Sequence, residues 1–215
     1  MKILALDTST ARVSVALIDG ENIIKEMSGG ELDGAQFHGE LLVSLIKECL
    51  AGLRPDVIAV GRGPGPYTGL RVGIATAEVL AAAWQLEIVG VSSLEAIAHG
   101  YRRNGGGDCM AVIDIKRREI AWQSYDADGE PTSAAQVAPI AQLDQLPALP
   151  IVGPAFVTQK LVSPDVVDAS PISAVDIALI AREKIGTGLD ISAHPIYLRE
   201  PDATAPAPRK QVTHE

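Results

Sequence analysis

The stretch GRGPGPYTGLRVG, residues 61–73, concentrates five glycines and two prolines in thirteen residues, a composition that could cradle phosphate. A Walker loop also requires a glycine followed by Lys, and none of these glycines has one. A dinucleotide loop requires GxGxxG, whereas Gly69 comes one residue late after Gly63 and Gly65. Pro64 and Pro66 remove two N–H groups that phosphate would use. We therefore interpret the stretch as a stiff strand-to-helix turn, with direct nucleotide binding as the alternative. Its structural residues are Gly61, Gly63, Pro64, Gly65, Thr68 and Gly69.

Metal-ligand and redox patterns are absent from the sequence. Cys49 and Cys109 lie far apart and form no CxxC pair, which is typical of buried thiols in a reducing compartment. The formal net charge of −9 disfavours nucleic-acid binding by this chain alone, because that binding depends on Lys and Arg. The N-terminus lacks a signal-peptide core and no apolar run reaches 18 residues. We expect a cytoplasmic protein that needs no cofactor or metal and does not enter a membrane.

The hydrophobic pattern predicts alternating strands and helices. A capping box at Ser92 and Glu95 should start the third helix, and Ser173 should cap the fourth. The glycine-rich run 104–107 is the best candidate for a boundary, which divides the chain into domains 1–104 and 105–200. The tail 201–215 is rich in Pro and Ala and should be disordered. Strands are predicted at 2–7, 13–18, 22–27, 56–60 and 87–91, and helices at 36–53 (ended by Pro55), 70–86, 93–102 and 174–185.

The helix predicted after the glycine stretch is unusually apolar. Between Val72 and Trp84 its only charged residue is Glu78, so it must bury more than one face. Its many glycine and alanine residues allow another helix to approach closely. It is either a central core helix or a helix with one face on its own domain and the other on a partner subunit.

The two halves of the chain resemble each other. MKILALDTSTARVSVALIDGE at 1–21 aligns with MAVIDIKRREIAWQSYDADGE at 110–130, which places Asp7 against Asp114 and Gly20 against Gly129. Each copy contains a strand that ends in Asp, a turn, a second strand and an Asp-Gly turn. This pattern favours an internal duplication without proving it, since strand-turn-strand units are common.

Four segments together resemble the TsaB family, the YeaZ-like subunits of the bacterial machinery that makes threonylcarbamoyladenosine in tRNA. They are ILALDTST, GRGPGPYTGLRVG, GVSSLEAIA at 90–98 and PIYLRE at 195–200, and the match runs in order over about residues 2–200. The resemblance implies an α/β, duplicated actin-like or Hsp70-like (ASKHA) fold, with two mixed-sheet subdomains and flanking helices.

The resemblance also implies a function. TsaB-like proteins are described as non-catalytic partners of a paralogue, TsaD, which transfers threonylcarbamoyl to N6 of the adenosine next to the anticodon. A TsaE-like ATPase joins them, so contact with tRNA would be indirect, and the chain alone could form a homodimer. The family's dimer surface is formed by two helices that match 36–53 and 70–86 here. The implied partner-binding residues are Phe37, His38, Leu41, Leu45, Arg71, Ile74, Ala75, Glu78 and Ala82.

The sequence contains only part of the catalytic motifs of related proteins. The paralogue resembles a metalloprotein with an HxxxH pair, whereas Leu42 stands four residues after His38 here. Actin-like ATPases place two Asp-containing turns around phosphate and magnesium. The first turn here, made of Asp7, Thr8, Ser9 and Thr10, could still contact phosphate, but the bulky Ile115 to Arg118 follow Asp114. Turn capping by both aspartates is the simpler interpretation, and an ATPase or small-molecule kinase that uses Asp7 and Asp114 remains the alternative function.

Three basic features are candidates for contact with tRNA or with an acidic partner surface. They are Arg62, Arg71 and the run from Lys116 to Arg118. Exposed charge that serves solubility is the simpler explanation of the run. Arg71 near a helix N-terminus opposes the helix dipole, which favours a specific contact for its side chain.

Overall fold

The computed structural model describes residues 1–30, 38–154, 166–169 and 172–198. The first half contains strands β1 (Lys2–Asp7), β2 (Val13–Asp19), β3 (Asn22–Gly29), β4 (Val57–Gly61) and β5 (Glu87–Val91), and helices α1 (His38–Leu50), α2 (Tyr67–Trp84) and α3 (Ser93–Arg103). The second half contains β6 (Cys109–Asp114), β7 (Glu119–Tyr125), β8 (Gln136–Pro139), a 3₁₀ helix (Ile140–Gln145), β9 (Ile151–Gly153), β10 (Val166–Asp168) and α4 (Ala174–Lys184).

The described strands form two sheets with the same topology. The first sheet has the order β3-β2-β1-β4-β5, and the second, written in the same direction, has β8-β7-β6-β9-β10. In each sheet the central strand is antiparallel to the next strand in sequence and parallel to its other neighbour. Asp7 and Asp114 are the last residues of the two central strands, as the sequence alignment of the halves predicts. The predicted duplicated actin-like fold is confirmed.

The last helix of each half joins the two sheets into one body. Helix α3 follows the first sheet in sequence but packs on β6, β7 and β9, while α4 follows the second sheet and packs mainly on β1 and β2. One buried apolar cluster therefore contains residues from both sheets, including Ile3 and Ile18 from the first and Ala111 and Ile113 from the second. The predicted division at residue 104 falls between the sheets, but the hydrophobic core crosses it.

Helices α1 and α2 cover the opposite face of the first sheet. Apolar residues of β1, β2 and β4 form a second buried cluster with the inner faces of these two helices. The contributions from the helices include Leu42, Leu45, Ile46, Leu70, Ile74 and Ala77. Both helices thus bury one side in their own domain, and α2 leaves its other side exposed.

The predicted helix bounds need three corrections. Helix α2 begins at Tyr67 instead of Leu70, and Pro66 occupies its N-cap position with φ −58° and ψ 126°. It ends at Trp84, where Gln85 adopts a left-handed conformation. Helix α1 ends at Leu50, well before Pro55, because Ala51 and Gly52 have positive φ angles. Residues 36 and 37, like the tail from residue 201, lie outside the described residues.

Neither predicted N-cap makes the expected hydrogen bond. Ser92 and Ser173 do occupy the N-cap positions, but their side chains do not cap the helices. Glu95 accepts a hydrogen bond from Lys184 Nζ at 2.5 Å instead of closing a capping box. Ser173 Oγ donates to Glu26 Oε1 at 2.7 Å, which links α4 to β3. These side chains therefore make contacts between the two halves instead of local caps, and local sequence patterns do not predict such contacts.

Among the described helices, none combines the length and the apolar character that crossing a membrane requires.

Candidate functional site

Asp7 lies in a closed cage of hydroxyl groups. Its Oδ1 accepts a hydrogen bond from the backbone N–H of Ser9 at 2.8 Å. Its Oδ2 accepts hydrogen bonds from Ser9 Oγ at 2.8 Å and from Ser93 Oγ at 2.7 Å. Ser93 is the first residue of α3, so the cage connects the end of β1 to the helix that crosses to the other half. Burial raises the pKa of Asp7 above its ordinary value of 3.8, and the hydrogen bonds from Ser93 and Ser9 offset only part of that effect.

The glycine stretch packs directly on this cage. A Cβ on Gly61 would lie 1.8 Å from Asp7 Oδ2, and one on Gly65 would lie 2.6 Å from the carbonyl oxygen of Ser9. A Cβ on Gly73 would lie 2.2 Å from Thr8 Oγ1, which itself donates to the carbonyl of Gly69 at 2.8 Å. These glycines are therefore required for close approach between the stretch and the Asp7 turn. The sequence shows two separate motifs here, and only the fold shows that they are one contact.

The turn predicted as a weak phosphate candidate is filled by the chain itself. Asp7, Thr8 and Ser9 expose 1%, 1% and 0% of their surface, and only Thr10 is partly exposed. Gly63 has a φ of +85°, which favours glycine, and its carbonyl accepts the N–H of Ser93. The loop thus passes over the Asp7 cage into α2, as expected for a stiff turn between strand and helix.

Asp114 caps its own turn. Its Oδ1 accepts the N–H of Lys116 at 2.7 Å, the same hydrogen bond that Asp7 makes with Ser9. Lys116, Arg117 and Arg118 all have positive φ angles, between 58° and 71°. Three consecutive side-chain-bearing residues in this conformation form a tight, bulky turn, which differs from the small-residue turn at Asp7.

The predicted partner-binding residues of α2 divide into an outer and an inner group. Arg71, Ala75, Glu78 and Ala82 are exposed along one face of the helix. Ile74 is only 6% exposed and belongs to the core between α2 and the sheet. Thr68, assigned to the structural loop, is exposed in the first turn of the helix.

Val79 is 67% exposed on the outer face of α2, and the sequence interpretation did not include it among the partner residues. Its place beside Glu78 on the helix could have revealed it, since the inner face is defined by Leu70, Ile74 and Ala77.

Helix α1 presents a different surface from the predicted one. Leu45 is only 7% exposed and Leu41 is partly buried, so both contribute mainly to the domain core. Leu42, four residues after His38, is fully buried in the same core. Val43 is 60% exposed and takes the outer position instead. Phe37 lies outside the described residues.

Arg71 has a specific contact within its own chain. Its Nη1 donates to Tyr67 Oη at 2.6 Å, and its guanidinium carbon lies 4.8 Å from the centre of the Tyr67 ring. The second predicted arginine, Arg62, is also engaged, because its Nη1 donates to Asp190 Oδ2 at 2.9 Å and contacts Ser192. Arg71 thus binds the first turn of α2, and Arg62 binds residues of the C-terminal segment.

A second charged cluster joins α3 to α4. Asp176, which is 2% exposed, accepts His99 Nδ1 at 2.7 Å and Arg103 Nε at 2.9 Å. Burial opposes ionisation of Asp176, but the hydrogen bonds from His99 and Arg103 outweigh it and hold the carboxyl pKa below its ordinary value. Within the described ranges, no three His, Cys, Asp or Glu side chains are grouped so that they could hold a metal ion.

Comparison with known proteins connects this fold to tRNA modification. A family model described as TsaD, tRNA N6-adenosine threonylcarbamoyltransferase, matches residues 33–179, which is more than half of the chain. An uncharacterized protein of Mycobacterium tuberculosis is 32% identical over 209 residues, or 94% of this chain and 93% of that protein. The tRNA threonylcarbamoyladenosine biosynthesis protein TsaB of Escherichia coli is 34% identical over 146 residues, or 62% of each chain.

A solved structure extends the similarity over nearly the whole length. YeaZ from Pseudomonas aeruginosa superposes with a TM-score of 0.74 and 30% sequence identity, over 92% of this chain and 99% of that one. The shared fold, the full-length structural match and the match to the family model agree with the motifs in the sequence. The chain belongs to the TsaB/YeaZ-like family.

Proposed function

We propose that this chain is a non-catalytic subunit of a tRNA threonylcarbamoyladenosine-forming complex in the cytoplasm. It dimerises with a TsaD-like paralogue and supports transfer of the threonylcarbamoyl group to N6 of the adenosine next to the anticodon. A TsaE-like ATPase is the third component, and the tRNA is bound mainly by the partners. The curated relatives named TsaB support the pathway.

The observation that carries the proposal is the outer face of α2. A solvent-facing helix normally carries many charges, whereas the outer face here carries Ala75, Val79 and Ala82 together with two single charges, Arg71 and Glu78. Small side chains allow the backbone of another helix to approach closely. A paralogue described by the same family model would carry an equivalent pair of helices, so two such faces could pair around a pseudo-twofold axis.

The Asp7 cage supports the non-catalytic part of the proposal. A phosphate-binding turn must present N–H or hydroxyl groups to a ligand, and the hydroxyl groups of Thr8, Ser9 and Ser93 are engaged by the chain itself. Binding of ATP here would require the glycine stretch to move away from the turn. The alternative ATPase or kinase function would therefore need a large rearrangement.

The subunit acts on its partner by mass action in this proposal. If the conformation of the paralogue that accepts substrate binds this chain better than other conformations do, complex formation shifts the paralogue toward it. No active site is needed in this chain for that effect.

The test is solution mass by light scattering, for the chain alone and mixed with its cognate TsaD-like protein. We expect a 1:1 heterodimer that is lost in Ala75→Asp and Ala82→Asp, because either charge would be buried without a partner. Ala127→Asp is the matched control, since Ala127 is exposed in a turn of the second half. If folded proteins form no complex even with TsaE and nucleotide present, the proposal is wrong. Micromolar binding of ATP and magnesium to the isolated chain would favour the enzymatic alternative.

A further inference from the structure

The segment 190–198 returns from the second half to the start of α2. The N–H of Gly90 on β5 donates to the carbonyl of Ile191, and the N–H of Ile196 donates to the carbonyl of Arg62, both at 2.8 Å. Arg62 also holds the beginning of the segment through Asp190 and Ser192. This strap covers the edge of β5 and lies beside the glycine stretch, although it is distant from both in sequence.

The strap delivers an aromatic ring to the first turn of α2. Tyr197 stacks on Tyr67, with ring centroids 5.6 Å apart and an interplanar angle of 28°. Arg71 lies over the Tyr67 ring and donates to its hydroxyl group. Tyr67 and Tyr197 remain 51% and 43% exposed, and Arg71 is exposed too. We name Tyr67, Arg71 and Tyr197 the tyrosine–arginine cluster.

We propose that the tyrosine–arginine cluster is the main binding anchor for the protein partner, and that the partner presents a carboxylate to Arg71 and an apolar side chain to the tyrosine rings. The proposal rests on the proposed function, because it assigns the energetic centre of the interface to one end of the α2 face. It also makes the C-terminal strap a part of that interface.

The composition of the cluster fits such an anchor. Tyrosine and arginine are enriched, together with tryptophan, among the residues whose truncation strongly weakens protein complexes. The two rings and the guanidinium already hold one another in place, so little side-chain freedom is lost on binding. In the described part of the chain, only Nη1 of Arg71 has a hydrogen-bond acceptor, which leaves Nε and Nη2 for a carboxylate.

Position and charge favour a protein over RNA as the occupant. Arg71 begins the helix face that continues through Ala75, Val79 and Ala82, a surface suited to another helix. The formal net charge of −9 opposes a polyanion. A single carboxylate on a folded partner meets Arg71 without that general repulsion.

The test measures the affinity of the full-length chain for its TsaD-like partner by calorimetry, for Tyr67→Ala, Tyr197→Ala and Arg71→Ala. We expect each substitution to weaken binding at least tenfold, while Tyr197→Phe keeps the stacked ring and stays within about threefold. Ile23→Ala on the edge strand β3 is the control, since Ile23 is also exposed, by 52%, but lies on another surface. Thermal unfolding of each variant establishes that it is folded.

Salt dependence separates an interface role from a purely internal one. If Arg71 contacts a partner carboxylate, the affinity of the parent protein falls with added salt more steeply than that of Arg71→Ala. Equal salt dependence, or affinities unchanged in all three alanine variants while Ala82→Asp abolishes binding, would overturn the anchor and leave the proposed function intact. Failure of the parent protein to bind the paralogue would contradict the proposed function itself. Tighter binding of single-stranded RNA than of the paralogue would overturn the choice of occupant.

Discussion

At the scale of single residues, the Asp7 cage explains why a motif that could contact phosphate is closed. Asp7 accepts three hydrogen bonds, from the backbone and side chain of Ser9 and from the side chain of Ser93. These bonds do not fully compensate for burial, so the pKa of the carboxyl is raised. Burial in the cage therefore favours the neutral form of this acid more than water does.

Asp7→Asn should match or exceed the parent protein in stability at neutral pH. A group whose pKa is raised in the folded state contributes stability below its unfolded pKa, and this is lost as the pH rises through the folded value. The amide stays neutral, and it can still accept from the Ser9 N–H while donating to Ser93 Oγ. Urea unfolding should therefore show that the free energy of unfolding of the variant rises relative to that of the parent as the pH increases above 3.8. An advantage that grows toward acid pH instead would mean that Asp7 is stabilised as a carboxylate.

Substituting a glycine beside the cage should cause a steric clash that a second substitution can partly relieve. Gly73→Ala should lower the free energy of unfolding by about 2 kcal/mol, because its Cβ would meet Thr8 Oγ1 at 2.2 Å. Adding Thr8→Ala should recover part of this loss, since the next nearest atom, Thr8 Cβ, lies at 3.3 Å. Denaturant unfolding of the single and double variants measures the coupling.

Gly39→Ala is the matched control for the glycine substitution. Gly39 lies in α1, and a Cβ there would have nothing within 4 Å. It should be neutral or stabilising, because alanine is the better helix former. Strictly additive losses in Gly73→Ala and Thr8→Ala would contradict the proposed contact.

At the scale of elements, α3 and α4 form an antiparallel pair that links the two halves of the chain. Asp176 near the start of α4 binds Arg103 at the end of α3, and Lys184 at the end of α4 binds Glu95 near the start of α3. Each helix lies on the sheet of the other half. Side-chain caps are missing at the N-termini of both helices, and these contacts link the two halves instead.

Asp176→Ala should be strongly destabilising. The substitution leaves Arg103 and His99 without their shared acceptor. We expect the free energy of unfolding to fall by about 3 kcal/mol at neutral pH. This is the low end for breaking a buried ion pair, because Arg103 stays partly solvated. The pKa of Asp176 is lowered in the folded state, so its contribution is present above 3.8 and is lost as the pH falls through the folded value. The penalty should therefore shrink in acid.

Chemical unfolding at several pH values measures the Asp176 effect. The surface variant Asp108→Ala, on an exposed side chain before β6, should change stability by less than about 0.5 kcal/mol. A penalty for Asp176→Ala that is equal at all pH values would show that packing, and not the ion pair, is lost.

At the scale of the whole molecule, the two sheets share one buried cluster and should unfold together. Trp84 at the end of α2 reports on the first half, and Trp122 on β7 reports on the second. The variants Trp84→Phe and Trp122→Phe each leave a single tryptophan. For each variant, the fluorescence transition should coincide with its own loss of helical circular dichroism. Fluorescence and circular dichroism that separate in either variant would show that the halves are independent domains.

The sequence predicted the repeated architecture well because it depends on local signals. Four of the first five strands follow apolar segments, β3 follows the Asp19-Gly20 turn, and the alignment of Asp7 with Asp114 places both at the ends of central strands. The exposed side of α1 was harder to predict. The family resemblance implied Leu45 as a partner residue, but Leu45 is 7% exposed and belongs to the core, whereas Val43 is 60% exposed. Which side of a helix faces solvent depends on the sheet it covers.

By itself, the sequence predicted the first five strands, the presence of the four helices and the family, and it favoured the duplication, because turn residues, hydrophobic periods and motifs are written along the chain. Only the tertiary structure decided that the glycine stretch closes the Asp7 turn, that α3 and α4 exchange sheets, and that Tyr197 stacks on Tyr67. Each of these contacts joins residues that are far apart in sequence. Their partners are selected by packing and by the burial of polar groups, which no local pattern specifies.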